Sequence, residues 1–446
     1  MSVGLNTNRL ILQKLKVISS NGELDAEDAD QRENLHRLFI YPAMMVPATQ
    51  SAIIKVLAEF LPSDTYAMDP FMGSGTSLLS CMEFGFQAYG QDINPFAVLL
   101  SKAKTSQFEI IELESAYSRI EGRVREDEDE RIDIYFRGIN KWFTKKAQIS
   151  FSKIRRAIQE ERDFRIRSFF WVLMSEAVRV GSNDRTTTFK LHKRSDEELQ
   201  RRNVNVIKEF FQIAKRGIDD YAIFCEKLQD EHNQYDMSFR GDITVKWGNT
   251  QKRIETDKKF GLLVSSPPYG DNQTTVTYGQ TSYLPLQWID AKDIECPYDY
   301  LRTTQEIDRQ SLGGHLSKKK VKEQLECICK KSPCFKSFYE IIPDSEKGVY
   351  DKTVTFISDF AESLSNIVEK MHPTAYYIWT IGNRFVGGRE IPNTDILEDL
   401  MAQYNIPLFF RAERQILNKK QANKNNFSRT MEKETIMIFH KEDCRI

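Results

Sequence analysis

Tyr66-Ala67-Met68 runs into Asp69-Pro70-Phe71-Met72-Gly73-Ser74-Gly75-Thr76, and a segment with helical spacing follows. No other stretch constrains the fold as much, because a strand that turns through glycines into a helix is the opening unit of a sheet wound with helices on its faces. Gly73 and Gly75 let the backbone turn tightly and approach a ligand where a Cβ atom would intrude. Asp69 and Thr76 bracket the turn with polar groups, and the free amides that open the helix favour the carboxylate end of a ligand. The three-glycine dinucleotide fingerprint is absent. Residues 86–93 predict a second strand that carries Asp92 at its C-terminal end, roughly where a ribose hydroxyl pair lies in a doubly wound sheet. An Asx-type turn is the competing explanation for that acid.

Far downstream, the apolar run Gly261-Leu262-Leu263-Val264 leads to Ser266-Pro267-Pro268-Tyr269. Alone, this tetrapeptide is a rigid bend. Together with the glycine turn and Asp92-Ile93-Asn94-Pro95-Phe96, it resembles the amino-group DNA methyltransferases, which methylate N4 of cytosine or N6 of adenine from S-adenosylmethionine. The resemblance spans residues 36–100 and 236–290, and more loosely 370–440. It implies S-adenosylmethionine as cofactor, held by Asp69, Phe71, Gly73, Gly75, Thr76, Asp92 and Ile93, and a phosphate-free nucleoside suits the two-glycine spacing better than NAD. Asp242, placed at a third strand, is assigned to the adenine ring, and Tyr41, Pro42 and Ala43 to a segment closing over the methionine part. The catalytic clamp is then Ser266, Pro267, Pro268 and Tyr269. Ser266 and the Pro267 carbonyl accept the amino hydrogens, Pro268 restricts the loop, and Tyr269 stacks on the extruded base. Serine at position 266 points to cytosine N4 ahead of adenine N6.

Strand-like runs at residues 238–245, 260–265, 375–381, 406–410 and 435–439 complete an expected α/β fold: a doubly wound, Rossmann-like methyltransferase sheet, mostly parallel, with a terminal hairpin. Residues 1–105 and 236–446 form the split catalytic domain. Residues 106–235 are dense in charge with apolar residues at helical intervals, and predict a mainly helical insertion suited to target recognition. Residues 291–347, with turn residues and lysines, are the alternative recognition region. The polar loop within 182–190 contributes Ser182, Asn183, Arg185 and Lys190 as nucleic-acid contacts. Lys318, Lys319 and Lys320 form a second basic stretch, and Lys419, Lys420, Lys424 and Arg429 a third.

The 446 residues are 40% hydrophobic and 28% charged, enough for a folded chain larger than the roughly 250–300 residues at which single cores stop growing. A formal net charge of −1 means that DNA affinity must come from local basic stretches. Seven cysteines do not suggest a disulfide scaffold. Cys327, Cys329 and Cys334, with Cys296 and His315, lack the paired ligand spacing of zinc sites, so no metal is expected. Neither a secretion signal nor a membrane span is read, which predicts a cytoplasmic protein acting on double-stranded DNA with a cognate restriction endonuclease as partner. Three alternatives stay open: a tRNA guanine-N2 methyltransferase, a noncatalytic nucleic-acid-binding module, and a partner-binding protein.

Overall fold

A computed structural model of the chain describes residues 2–27, 33–232, 241–416 and 433–442. Its centre is a seven-stranded sheet in the order β3-β2-β1-β4-β5-β9-β8. The strands are β1 (Tyr66–Asp69), β2 (Gln87–Asp92), β3 (Ile243–Trp247), β4 (Phe260–Ser265), β5 (Met371–Ile381), β8 (Leu408–Gln415) and β9 (Lys433–His440). A separate hairpin pairs β6 (Arg384–Val386) with β7 (Arg389–Ile391). The first five strands of the sheet are mutually parallel, and β9 runs antiparallel to both β5 and β8.

The central strands are covered on both faces, which explains their nearly continuous apolar runs. Alternation survives in where each side chain points. Ala67, Leu262, Val264, Ile378 and Ile438 join the core beneath the helices Ser2–Ser20, Pro47–Ala58 and Thr76–Glu83. Met68, Leu263, Trp379 and Phe439 face the opposite core, under the helices Lys318–Lys331, Pro333–Glu340, Asp351–Lys370 and Asn393–Ala402. Residues 318–340, within the 291–347 segment expected as an alternative recognition region, thus contribute helices to this second layer.

Residues 106–232 are helical as expected, with long helices at Ile110–Glu126, Lys145–Gln159, Phe164–Gly181 and Val206–His232. They share one apolar core with the helix Pro95–Thr105 and with Tyr278–Trp288, through Phe96, Leu100, Phe169, Trp171, Leu173, Phe210 and Trp288. Val98, on the same helix as Phe96, points instead into a core beside the sheet. That helix therefore couples the helical block to the sheet. Among the described residues no helix is long and apolar enough to cross a membrane, and no group of three or more His, Cys, Asp or Glu side chains is placed to hold a metal ion.

The chain winds outward through β1, β2 and β3, then crosses back to lay β4 on the other side of β1. This reversal opens a crevice at the carboxyl ends of the strands, the usual ligand position in an open α/β sheet.

Candidate active site

One cavity occupies that crevice. Its wall is built from strand ends: Pro70 to Ser74 after β1, Asp92 to Asn94 after β2, Gly248 to Thr250 after β3, and Ser266 with Pro268 after β4. Tyr41, Ala43, Met44, Met45, Asn272, Tyr278, Ile307 and Ser311 close it. The glycine turn and two residues of the Ser-Pro-Pro-Tyr segment, Ser266 and Pro268, distant in sequence, thus border one space, which Tyr269 does not line.

The loop after β1 is fixed from several directions. Asp69 is 1% exposed, and its carboxylate accepts hydrogen bonds from the Phe71 amide at 3.0 Å, from Ser265 Oγ at 2.6 Å and from Ser77 Oγ. Burial pushes this carboxyl up to about 6, although its hydrogen bonds work in the other direction. Asp69 does not line the cavity; it ties the loop and the helix Thr76–Glu83 to the residue preceding Ser266. Gly73 and Gly75 have φ of 48° and 75°, the left-handed region. A Cβ on Gly75 would lie 2.8 Å from Ser101 Oγ, so this glycine serves packing behind the loop while Gly73 faces the cavity. From below, Ser101 Oγ donates to the Gly73 carbonyl at 3.1 Å and Lys104 Nζ to the Ser74 carbonyl at 2.9 Å. Thr76 and Phe71 border the cavity, and no side chain caps the N-terminus of the helix that begins at Thr76.

Asp92 closes the end of β2. One carboxylate oxygen accepts the Gly73 amide at 2.9 Å and the other the Asn94 amide at 2.8 Å, which leaves acceptor capacity at the cavity wall. Burial raises this carboxyl to about 6 against those amides. Asn94 caps the following helix through the Phe96 amide and donates its side-chain N–H groups to Tyr41 Oη at 3.0 Å and Ser282 Oγ at 2.8 Å. Tyr41 stacks on Tyr278 with ring centroids 5.6 Å apart. Ala43 holds φ of 49°, an unfavourable backbone for a residue with a side chain, at the rim of the cavity. Pro42 is buried behind it and does not line the space.

Asp242 is a correction. It precedes β3 and thus sits at the amino edge of the sheet, opposite the cavity, where its carboxylate accepts from Tyr66 Oη at 2.9 Å and Lys258 Nζ at 2.6 Å. A parallel strand brings ligands to its far end, so Gly248, Asn249 and Thr250 hold the place that Asp242 was expected to fill. Their signal was a Gly-Asn-Thr turn directly after Trp247. Thr250 Oγ donates to the Pro70 carbonyl at 2.6 Å and accepts from Gln91 Nε2 at 2.9 Å, which binds this turn to the glycine loop.

The clamp follows β4. Ser266 Oγ lies 3.1 Å from Tyr269 Oη, and the Tyr269 ring is half-buried against the core under the helix Asp351–Lys370. The Tyr269 carbonyl accepts from Asn393 Nδ2 at 3.0 Å. Pro267 is buried, while Pro268 faces the cavity with Ser266. Asn272, beyond the clamp, is 4% exposed, and its Oδ1 has no partner among the described residues.

The basic stretches separate by burial. Ser182 and Asn183 are also corrections: Ser182 ends the helix Phe164–Gly181 with its Oγ on the Arg179 carbonyl at 3.1 Å, and Asn183 donates to the Lys141 carbonyl at 3.0 Å. Both are buried, being spent on the helix end that a polar sequence suggested was a free loop. Arg185 and Lys190 are exposed. Their loop is docked beside the cavity, with the Leu191 amide donating to Gln280 Oε1 at 3.1 Å and Thr281 Oγ donating to the Phe189 carbonyl at 3.1 Å, on the helix that begins with Tyr278. Lys318, Lys319 and Lys320 are exposed at the start of their helix. Lys419, Lys420, Lys424 and Arg429 lie outside the described residues.

No protein-family model matches the chain. Among solved structures, the rRNA methyltransferase aviRa from Streptomyces viridochromogenes covers 90% of this chain and 86% of its own at 10% identity, with a TM-score of 0.29, too low to bear on the fold. The type II methyltransferase M.MjaII of Methanocaldococcus jannaschii is 33% identical over 86 residues, 19% of this chain and 16% of that protein. The type II methyltransferase M.MvaI of Kocuria varians is 33% identical over 444 residues, 95% of this chain and 94% of that protein. Identity sustained across nearly the full length of both chains settles the kinship that the motifs suggested: the chain belongs to the type II DNA methyltransferases.

Proposed function

We propose that the chain transfers a methyl group from S-adenosylmethionine to the exocyclic amino nitrogen of a base turned out of double-stranded DNA, with cytosine N4 as the preferred acceptor. The observation that carries this is the shared cavity: Asp92 and Gly73 on one wall, Ser266 and Pro268 on the other.

The residues present fit that cofactor. Asp92 has free lone pairs for ribose hydroxyls. The uncapped amides at Thr76 suit a carboxylate, and Tyr41 with Ala43 would close over the methionine part. Ile93 and Asn249 flank the place for the adenine, and the unpartnered Asn272 Oδ1 offers a buried acceptor. Bound there, S-adenosylmethionine supplies a methyl group on an electrophilic sulfonium. The protein has then to orient the acceptor nitrogen, free its lone pair from ring conjugation, and exclude water. Ser266 Oγ and the Pro267 carbonyl would accept the amino hydrogens. Proline lacks an N–H, so neither Pro267 nor Pro268 adds a competing donor. Tyr269 supplies the stacking face for the extruded base.

Serine at position 266 supports cytosine over adenine. Double-stranded DNA as substrate, a cytoplasmic location and a cognate restriction endonuclease as functional partner belong to the same proposal. The test is methylation of plasmid DNA with labelled donor, digestion to nucleosides and identification of the product. N4-methylcytosine is expected. N6-methyladenine alone would overturn the base assignment, and label entering tRNA instead of DNA would overturn the substrate.

A further inference from the structure

The Tyr269 hydroxyl does not end in solvent. It donates to Glu434 Oε1 at 3.1 Å, and Glu434 Oε2 accepts from Arg414 Nη1 at 2.9 Å. Arg414 and Glu434 are directly opposed on β8 and β9, and their side chains are 4% and 19% exposed. A buried ion pair is an uneconomical way to stabilise a sheet, since the cost of desolvating both charges cancels most of their attraction. This pair touches the clamp, and nothing in the mechanism above uses it.

Resting on the proposed amino-methyltransferase activity, we infer that Glu434 and Arg414 are positioning residues that fix the direction of the hydrogen bonds through Tyr269, so that Ser266 faces the substrate as an acceptor. A serine hydroxyl can donate or accept, and a donor pointed at an amino group would repel it. The guanidinium can only donate and the ionised carboxylate can only accept. Tyr269 therefore spends its one proton on Glu434, and its oxygen is left to accept. Ser266, 3.1 Å away, donates its proton to that oxygen. What remains of Ser266 toward the cavity is lone pairs, the property a carboxylate or amide oxygen would have at this position. The charge at the sheet edge is thus converted into hydrogen-bond polarity at the reacting nitrogen.

Glu434→Gln tests this at nearly constant shape. Arg414 retains the amide oxygen, the NH2 group turns to Tyr269, and the order of donors reverses down to Ser266. The expected result is a fall in kcat of about a hundred- to thousandfold, the scale seen when one oriented hydrogen bond to a reacting centre is lost. S-adenosylmethionine affinity and KM for DNA stay near wild type. Tyr269→Phe keeps the ring but removes the relay, and a comparable fall in kcat is expected. Since both changes interrupt one chain, the double variant should lose no more than either single variant. A purely structural ion pair would instead lower thermal stability and donor binding together, and its effect would multiply with that of Tyr269→Phe. Wild-type kcat in folded Glu434→Gln, or multiplicative losses in the double variant, overturns the inference. Wild-type protein that methylates no exocyclic amino group in DNA overturns the activity beneath it, a result visible before any variant is made.

Discussion

At the scale of single residues, the two acids of the glycine loop look alike in sequence and act differently in the fold. Asp92 borders the cavity, whereas Asp69 is consumed by Phe71, Ser77 and Ser265. Their variants should differ accordingly. Asp69→Ala removes three hydrogen bonds that join the loop to the clamp, so thermal stability, donor affinity and methylation should all decline. Asp92→Asn should weaken donor binding with a smaller loss of thermal stability than Asp69→Ala, since the amide oxygen keeps one of the two backbone N–H partners. The pH dependence separates them further. Burial raises the Asp92 carboxyl to about 6, above the ordinary value of about 3.9, so the folded protein takes up this proton as pH falls through 6. In the role proposed for Asp92, the ionised form is the one that would accept from the ribose hydroxyls. Donor affinity should be level above pH 6, fall below it by up to about tenfold per pH unit, and lose that dependence in Asp92→Asn. Isothermal titration across pH 5 to 8 measures this, and a level wild-type profile would remove Asp92 from the donor site.

At the scale of elements, most of the sheet was legible because its central strands are apolar on both sides. β4, expected over residues 260–265, has those limits in the structure. The edges were harder. β3 alternates Ile243, Val245 and Trp247 with Thr244 and Lys246, an edge pattern with little buried surface, and reading it too early assigned Asp242 to the wrong end. β8 was cut short at residue 410 because Arg411, Glu413 and Gln415 look like loop, yet they are the exposed face of an edge strand whose other face buries Phe410, Ala412 and Arg414. For the site, glycines and acids were visible as motifs, but residues that act by packing from another element were not. The helix Pro95–Thr105 illustrates this, since it supports the glycine loop with Ser101 and Lys104. Lys104 is fully buried, which lowers its ammonium to about 7. Between about pH 7 and 10 the unfolded chain holds this proton and the folded chain does not, so stability due to Lys104 rises with pH across that window. Lys104→Met should lower donor affinity by releasing the Ser74 carbonyl. Its melting temperature, compared with wild type, should be most favourable at or below pH 7 and least favourable near pH 10. In the same element pair, Gly75→Ala forces a side chain to φ of 75° and to 2.8 Å from Ser101 Oγ, and should destabilise by at least 1–2 kcal/mol in denaturant titrations.

At the scale of the whole molecule, a net charge of −1 cannot by itself attract a polyanion, so the placement of exposed cations decides how DNA is held. The cavity is built by the sheet, but its neighbour across the rim is the loop that carries Arg185 and Lys190, docked by Gln280 and Thr281 onto the helix of Tyr278. A duplex that delivers a base to Ser266 would pass close to this loop. Lys318, Lys319 and Lys320 are exposed on a helix of the opposite layer and are the alternative contact proposed for phosphate. The two surfaces can be told apart by salt. Each lysine or arginine that neutralises a phosphate contributes about 0.9 to the slope of log affinity against log salt concentration on duplex DNA. Replacing Arg185 and Lys190 with alanine should reduce that slope by about 1 to 2 units and weaken DNA binding at low salt. Donor affinity, and kcat at saturating DNA, should persist, because neither side chain lines the cavity. The same measurement on Lys318→Ala, Lys319→Ala and Lys320→Ala together serves as the comparison. A slope that changes in the lysine variant and not in the Arg185 and Lys190 variant would move the phosphate track away from the helical block, onto the layer that covers the other face of the sheet.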